Sequence, residues 1–152
     1  MIMPFFLTIN MSEILKEAYL DKKYEQMSWK EVVYAPVSAI SGVSEQDAVD
    51  LKASFNIETI SDFAYNEYVC IAQGINSFSK ATAQILDKTF NSKDFEELRK
   101  QPVNAIKGVS EEDAVLLKRA FGIDTIQELA ENKYVCIAQT IATLAFLEGL
   151  AS

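Results

Sequence analysis

The chain contains the same stretch of sequence twice, at a constant offset of 66 residues. Residues 36–75 and 102–141 are identical at 26 of 40 aligned positions, without a gap. Each copy is longer than the period of common helical arrays, and an array normally needs three or more repeats. We therefore expect two copies of one unit, packed face to face about an approximate two-fold axis. Residues 1–18 would form an N-terminal arm and the start of the first helix, 19–84 the first unit and 85–152 the second.

Helix signals dominate the chain, which contains only three prolines and five glycines and shows no sustained strand-type alternation. We therefore predict an all-α fold. Serine, threonine or aspartate precedes many of the expected helices, often with an acidic residue three positions later, the pattern of an N-terminal capping box. The predicted caps are Ser28, Ser44, Thr59, Asp94, Ser110 and Thr125.

One face of the central helix in each copy is apolar and is predicted to be buried. In the first copy it carries Ala48, Leu51 and Phe55, at spacings of three and four residues. The copies differ at Asp50 and its counterpart Leu116. Because differences between copies are better tolerated on a surface, we expect both side chains to point outward.

The turn before this helix carries a recognisable motif. It reads Ile-Ser-Gly-Val-Ser at residues 40–44 and Ile-Lys-Gly-Val-Ser at residues 106–110, followed in each copy by alanine, leucine and then Phe-x-Ile-x-Thr-Ile-x-x-x-Ala. Over residues 40–64 and 106–130 the chain resembles the helix-hairpin-helix motif. It looks like the five-helix domains at the N-terminus of RecA-type recombinases and at the C-terminus of the bacterial RNA polymerase α subunit. The hairpin residues are Gly42, Val43, Ser44, Gly108, Val109 and Ser110.

The resemblance implies phosphate binding in members that bind DNA, where backbone N–H groups of a Gly-hydrophobic-Gly hairpin contact the phosphate. Here serine replaces the second glycine and acidic residues follow, and the net charge is −8. Carboxylates at that point repel a phosphate. We therefore expect the hairpins to pack helices and contact other proteins. Under the alternative of nucleic-acid binding, the candidate phosphate contacts are Lys107, Gly108, Lys118 and Arg119.

The last helix of each copy shares the sequence Asn-x-Tyr-Val-Cys-Ile-Ala-Gln and is predicted to begin at Asn66 or Asn132. The first of these helices is expected to run through Ile85 to about Phe90 and so join the two units. The spacing places one polar stripe on each helix, which includes Cys70, Gln73, Cys136 and Gln139. The opposite face would be apolar, with Tyr68, Ile71, Ala72, Ile75 and Phe78 in the first copy. The stripe is interpreted as helix packing, as a contact between the copies, or as a partner or ligand surface.

Aromatic residues that differ between the copies are candidate partner anchors. Tyr34 and Tyr65 have the charged counterparts Lys100 and Glu131, so we expect the tyrosines to be exposed. Tyrosine offers a large contact area at little cost in rotamer entropy. Together with Leu116, they form a candidate interaction surface.

Catalytic patterns are missing from the sequence. The chain has no histidine and two cysteines, and it lacks the glycine-rich phosphate-binding motifs. We expect no enzymatic activity, no cofactor and no metal site. The predicted function is a protein-interaction or adaptor module, with a protein partner or homodimer. The alternatives are a nucleic-acid-associated protein or a carrier of a small apolar ligand between the copies.

The cysteine count and the first residues bear on location. The opening segment lacks the features of a secretory signal, and no run of transmembrane length is expected from the sequence. Two cysteines in such a chain are typical of a reducing compartment. We therefore expect a cytoplasmic protein without a membrane partner.

Overall fold

The computed structural model describes residues 12–85 and 93–151. Within these two ranges the chain forms α-helices and short 3-10 helices and no β-strand, so the predicted all-α class is confirmed. Helix α1 spans 12–19. The others are α2 (Trp29–Val32), α3 (Glu45–Phe55), α4 (Ile60–Ala64), α5 (Glu67–Ile85), α6 (Lys93–Leu98), α7 (Glu111–Phe121), α8 (Ile126–Glu131) and α9 (Lys133–Ala151).

Most of the predicted helix starts are confirmed. Capping boxes begin α2, α3, α4, α7 and α8, at Ser28, Ser44, Thr59, Ser110 and Thr125. The side-chain oxygens of Asn66 and Asn132 each accept two backbone N–H groups at the starts of α5 and α9. Asp94 was predicted as a cap but lies inside α6, which already includes Lys93. The predicted N-terminal arm at residues 1–10 and the predicted extension of α5 beyond Ile85 to Phe90 lie outside the described residues.

A glycine with positive φ makes the sharp turn before each central helix. The φ angle is +96° at Gly42 and +99° at Gly108, a backbone conformation that side chains with a Cβ rarely adopt. The following serine then caps α3 or α7. Both copies therefore build the same short 3-10 helix, turn and capped helix.

The helices of one copy pack mainly against helices of the other. Helix α3 lies against α7, α4 against α9, α5 against α8, and α2 also against α9. Leu51 and Phe63 from the first copy and Leu117 and Ile126 from the second belong to one buried cluster. The two copies therefore share a single hydrophobic core.

One prediction about a helix face is wrong. Asp50 was expected to point outward, but only 1% of it is exposed. On α5, two residues of the predicted apolar face, Ile71 and Phe78, are 44% and 49% exposed. Among residues 67–81, where burial is described, α5 buries Val69, Ala72, Asn76 and Ser79.

Helix α9 is more apolar over its length than the sequence analysis allowed. Among the described helices it alone is long and apolar enough to cross a membrane, judged by length and composition, a test that core helices of soluble proteins also pass. The expectation that no run reaches this length is therefore wrong. In the structure α9 buries Val135, Ala138, Ile141, Ala142 and Ala145 against the rest of the protein.

Candidate functional site

Each hairpin turn is covered by a tyrosine from the other copy. A Cβ atom built on Gly42 would lie 2.7 Å from the hydroxyl oxygen of Tyr134, and one built on Gly108 would lie 2.7 Å from that of Tyr68. A side chain therefore cannot replace hydrogen at either glycine unless the tyrosine moves. The backbone of each turn is packed against an aromatic ring.

Both tyrosines are held in place by neighbouring aromatic rings. The ring of Tyr68 lies 4.9 Å from that of Phe55, and the ring of Tyr134 lies 4.9 Å from that of Phe121. Burial, together with the nearby Glu67 carboxylate, raises the pKa of the Tyr68 hydroxyl. Tyr68 therefore stays neutral at physiological pH where it covers Gly108.

Two of the candidate phosphate-binding cations contact carboxylates. The ammonium group of Lys118 lies 2.6 Å from Asp124, a hydrogen bond that raises the lysine pKa. The guanidinium of Arg119 binds Asp50. Lys107 is exposed, and among the described residues no ion pair within 4.0 Å includes it. Gly108 lies beneath Tyr68, so the four candidates do not form one open cationic surface.

The contact between Asp50 and Arg119 links α3 to α7. The guanidinium donates two hydrogen bonds to the carboxylate, one of them from Nε to Oδ2 at 3.1 Å, and Gln46 donates a third at 3.1 Å. Hydrogen bonding from Arg119 holds the pKa of Asp50 below its usual value, against the effect of burial, and raises the pKa of Arg119. In the alignment of the two copies, Leu116 corresponds to Asp50 and Ala53 corresponds to Arg119. The paired change from charged to apolar residues was a signal for this contact that the sequence analysis interpreted as surface variation.

The predicted polar stripe is divided by the fold. Gln73 donates to the Oε1 atom of Gln139 at 2.9 Å, and Gln139 donates in return to Gln73 at 2.8 Å. The two amides also donate to backbone carbonyls of the opposite copy, at Ala130 and Ala64. This is a contact between the copies, one of the interpretations that the sequence allowed.

The two cysteines of the predicted polar stripe take no part in this contact between the glutamines. Cys70 and Cys136 are free and exposed, and no pairing between them is formed. Cys136 and Gln139 line a shallow depression on α9 together with Thr140, Thr143 and Leu144. Leu116, on α7, is half-buried and does not join the exposed tyrosines.

The most distinctive surface feature is a groove with aromatic walls. Tyr34, Tyr65 and Phe146 are 72%, 67% and 64% exposed, and they line one groove of about 270 Å³. We call it the aromatic groove; its other lining residues are Lys30, Val33, Ser61, Ala142 and Ala145. The predicted exposure of Tyr34 and Tyr65 is confirmed. The sequence did not single out Phe146, which was placed at the end of the last helix.

Local hydrogen bonds bring the two tyrosines together. The backbone N–H of Ser61 donates to the carbonyl of Val33 at 2.8 Å, which fixes the start of α4 beside the end of α2. Tyr65 follows one helical turn after Ser61, and its N–H donates to the Ser61 carbonyl at 3.1 Å. Tyr34 follows Val33 directly, so both phenol rings stand on the same side of the junction.

Glu148 positions the third wall of the aromatic groove, which is the ring of Phe146 on α9. Its carboxylate accepts the backbone N–H groups of Trp29 at 3.3 Å and Lys30 at 3.1 Å, at the start of α2. Glu148 lies two residues after Phe146 on α9. The groove is thus assembled from α2 and α4 of the first copy and α9 of the second.

The corresponding place in the other half has the opposite chemistry. Shifting the eight groove residues by 66 gives a charged or polar side chain at every position: Glu96, Arg99, Lys100, Gln127, Glu131, Asn76, Ser79 and Lys80. The Lys80 ammonium lies 2.9 Å from Glu131, and Arg99 lies 2.7 Å from Glu96. Asn76 bridges the two pairs through Glu131 and Arg99. This charged network occupies the position that the aromatic groove leaves open.

Metal binding has no support from the geometry. Within residues 12–85 and 93–151 no group of three or more histidine, cysteine, aspartate or glutamate residues is placed to hold a metal ion.

Comparisons with known proteins add no relatives. No protein-family model, no curated protein and no solved structure matches the chain.

Proposed function

We propose that this protein is a non-catalytic interaction module that binds a protein partner in the aromatic groove. The observation that carries the proposal is the clustering of Tyr34, Tyr65 and Phe146, three highly exposed rings, around one concave surface. Single exposed apolar residues are normal in proteins, but a contiguous aromatic patch marks a binding surface. Tyrosine is also enriched among the residues that dominate binding energy at protein interfaces.

The contrast between the groove and the charged network supports this assignment. The other half of this chain carries charged residues at the aligned positions, among them Lys80, Lys100 and Glu131. The aligned backbone therefore accepts charged residues at these places. Aromatic residues at the corresponding positions of the groove point to a contact with something outside the chain.

The finer architecture belongs to the same proposal. We infer two helix-hairpin-helix-like units related by an approximate two-fold axis. The support is reciprocal: Gly42 meets Tyr134 as Gly108 meets Tyr68, and Gln73 and Gln139 exchange hydrogen bonds. In this arrangement the hairpins hold the units together, which leaves the groove, at a junction of both units, to bind the partner.

The alternatives receive less support from the contacts. Phosphate binding at Gly108 requires displacement of the Tyr68 ring and competes with the carboxylates that hold Lys118 and Arg119. The groove, at about 270 Å³, is also smaller than the roughly 300–1,000 Å³ typical of small-molecule pockets. A protein side chain fits that size better than an apolar cargo does.

Site-specific photo-crosslinking in cells tests the proposal. A photoreactive phenylalanine analogue replaces Tyr34 in one variant and its counterpart Lys100 in a matched control. We expect a discrete protein adduct from position 34 and none from position 100, and we expect Tyr65→Glu to abolish the adduct. Equal labelling from both positions, or no adduct from position 34, would refute the assignment.

A further inference from the structure

The aromatic groove has a floor that selects for one large apolar side chain. Val33, Ala142 and Ala145 are 6%, 6% and 9% exposed, so they close the bottom of the groove with small or short apolar groups. Alanine at positions 142 and 145 on adjacent turns of α9 leaves depth between the rings of Tyr65 and Phe146. When a leucine or aromatic side chain enters the groove, the floor and the surrounding rings remove much of its apolar surface from contact with water.

The rim of the groove carries one charged group. Lys30 is the only charged residue among those that line the groove, and its side chain is exposed. Among the described residues no ion pair within 4.0 Å includes Lys30. The nearby carboxylate of Glu148 is bound to backbone N–H groups at the start of α2. Lys30 is therefore available to a carboxylate from outside.

The corresponding residue in the charged network shows the difference. Glu96 is the counterpart of Lys30, and it is already paired, 2.7 Å from Arg99 and 3.4 Å from Lys100. Lys30 therefore places a positive charge at the edge of the groove, on a chain whose net charge is −8. Charge complementarity at an interface contributes more to the choice of partner than to the affinity for it.

We propose, as an inference that rests on the proposed function, that a peptide segment of a partner protein occupies the groove. This segment carries one large apolar anchor residue, flanked by an acidic residue. The anchor enters between Tyr34, Tyr65 and Phe146. The carboxylate meets Lys30. The segment is otherwise neutral or basic, because further acidic residues would be repelled by the negative surface of the chain.

Selection from a random peptide library displayed on phage tests this inference. The full chain is the bait, with Tyr65→Glu and Lys30→Glu as variants. A third variant, Val115→Glu, changes an equally exposed apolar residue on α7 that is not part of the groove. Circular dichroism checks that each variant is folded. We expect wild type and Val115→Glu to select peptides with an apolar anchor and a nearby acidic residue.

Binding of the selected peptides is then measured by fluorescence anisotropy. Replacing the acidic residue by its amide should weaken binding by about 2- to 5-fold, the range for an exposed ion pair. Tyr65→Glu should weaken it by at least about tenfold, as loss of an anchoring contact does. Lys30→Glu should reverse the preference, so that the same peptide with lysine in place of its acidic residue binds best.

Three results would overturn the inference, and they differ in what they say about the proposed function. Peptides that need Tyr65 but show no preference for an acidic flank would refute the peptide chemistry and leave the groove as a binding site. Peptides that bind equally to Tyr65→Glu would refute both. A concentration-dependent dimer in sedimentation velocity that Tyr65→Glu dissociates would show that a second copy of this chain fills the groove instead.

Discussion

Replacing Gly42 by alanine tests how the two copies are joined. The alanine Cβ atom would lie 2.7 Å from the Tyr134 hydroxyl oxygen and 3.2 and 3.3 Å from two ring carbons. The first distance is shorter than real contacts of a Cβ atom, so the ring or the turn must move. The substitution also places a side chain on a backbone with φ of +96°.

Gly122 supplies the matched control. It ends α7 with a φ of +69°, and nothing lies within 4 Å of the position that a Cβ would take. The aligned residue of the first copy, Asn56, has φ of +58°, which shows that this turn accepts a side chain. Gly122→Ala therefore reports the backbone penalty without the contact.

The expected free-energy changes differ by the cost of the contact. A left-handed backbone costs alanine about 1–2 kcal/mol, which is the expected loss of stability for Gly122→Ala. Gly42→Ala carries at least that penalty and adds overpacking, which costs about 1–3 kcal/mol. We therefore expect Gly42→Ala to lose about 2–5 kcal/mol. In a chain of this size each kcal/mol lowers Tm by about 2–4 °C.

Urea unfolding provides the measurement. The chain has a single tryptophan, Trp29, which is 6% exposed, so its fluorescence reports unfolding of the shared core. Far-ultraviolet circular dichroism gives an independent probe, and coincident transitions establish that unfolding is two-state. The midpoint and slope of each curve then give the free energy of unfolding.

A double-mutant cycle links the effect to the opposite copy. Tyr134→Phe removes the hydroxyl that makes the shortest contact and leaves the ring, so it should relieve part of the cost of Gly42→Ala. Mutations at independent sites add to within about 0.3–0.5 kcal/mol. Additive costs in this pair, or a Gly42→Ala loss no larger than that of Gly122→Ala, would refute the packing of the hairpin beneath Tyr134.

Three further predictions concern contacts between the copies and the nucleic-acid alternative. Arg119→Ala should lower Tm at neutral pH by leaving the buried Asp50 carboxylate without its main donor, whereas the double variant Asp50→Leu/Arg119→Ala, which copies the residues at the aligned positions, should recover the loss. The pKa of Asp50 is lower in the folded protein than in the unfolded chain, where it is about 3.9. The stability that Asp50 contributes is therefore present above about pH 3.9 and is lost as the pH falls through the folded pKa. The effect of Arg119→Ala in thermal melts should accordingly shrink in acid. Gln73→Leu should cost about 1–3 kcal/mol by removing the side-chain partner of the Gln139 amide, which keeps its bond to the Ala64 carbonyl. Gln73→Leu/Gln139→Leu should cost less than the sum of the two single changes in urea unfolding, and a simple sum would contradict the reciprocal bonds. A fluorescence titration with duplex DNA at about 50 mM salt should show no binding, and binding that strengthens as salt falls would support the phosphate alternative.

The sequence predicts the local structure well because the signals for it are local. Serine and threonine caps satisfy free N–H groups within the next turn, and glycine is the favoured residue where φ is positive, so both can be recognised without knowing the fold. The helix starts at Ser44 and Ser110 and the turns at Gly42 and Gly108 follow from these rules.

The partners of each helix face are harder to predict because they depend on the other copy. Asp50 differs from its counterpart, which resembles surface variation, yet the residue is buried because Arg119 reaches it from α7. On α5 the polar residue Asn76 is buried because Glu131 and Arg99 supply its hydrogen bonds. A hydrophobic pattern in one segment cannot reveal polar residues that are satisfied by another segment.

The candidate site was partly predictable for a related reason. Comparing the copies identified Tyr34 and Tyr65 as exposed rings, but it did not place them side by side. Phe146 was missed because an apolar residue near the end of an apolar helix is usually core. Only the packing of α9 against both α2 and α4 brings its ring, which is 64% exposed, to the two tyrosines.

The duplication explains how one scaffold carries two surfaces of opposite character. Several contacts that hold the copies together are repeated in both, as the hairpin glycines, the covering tyrosines Tyr68 and Tyr134 and the paired glutamines show. The residues that line the groove differ at all eight aligned positions. If the residues of the groove served only to stabilise the fold, ion-paired residues like those of the charged network would fit the same backbone, and three aromatic rings would not be exposed to water. A charged network at one junction and an open aromatic groove at the other are therefore what a duplicated unit would show if one junction had become a binding site and the other had remained closed.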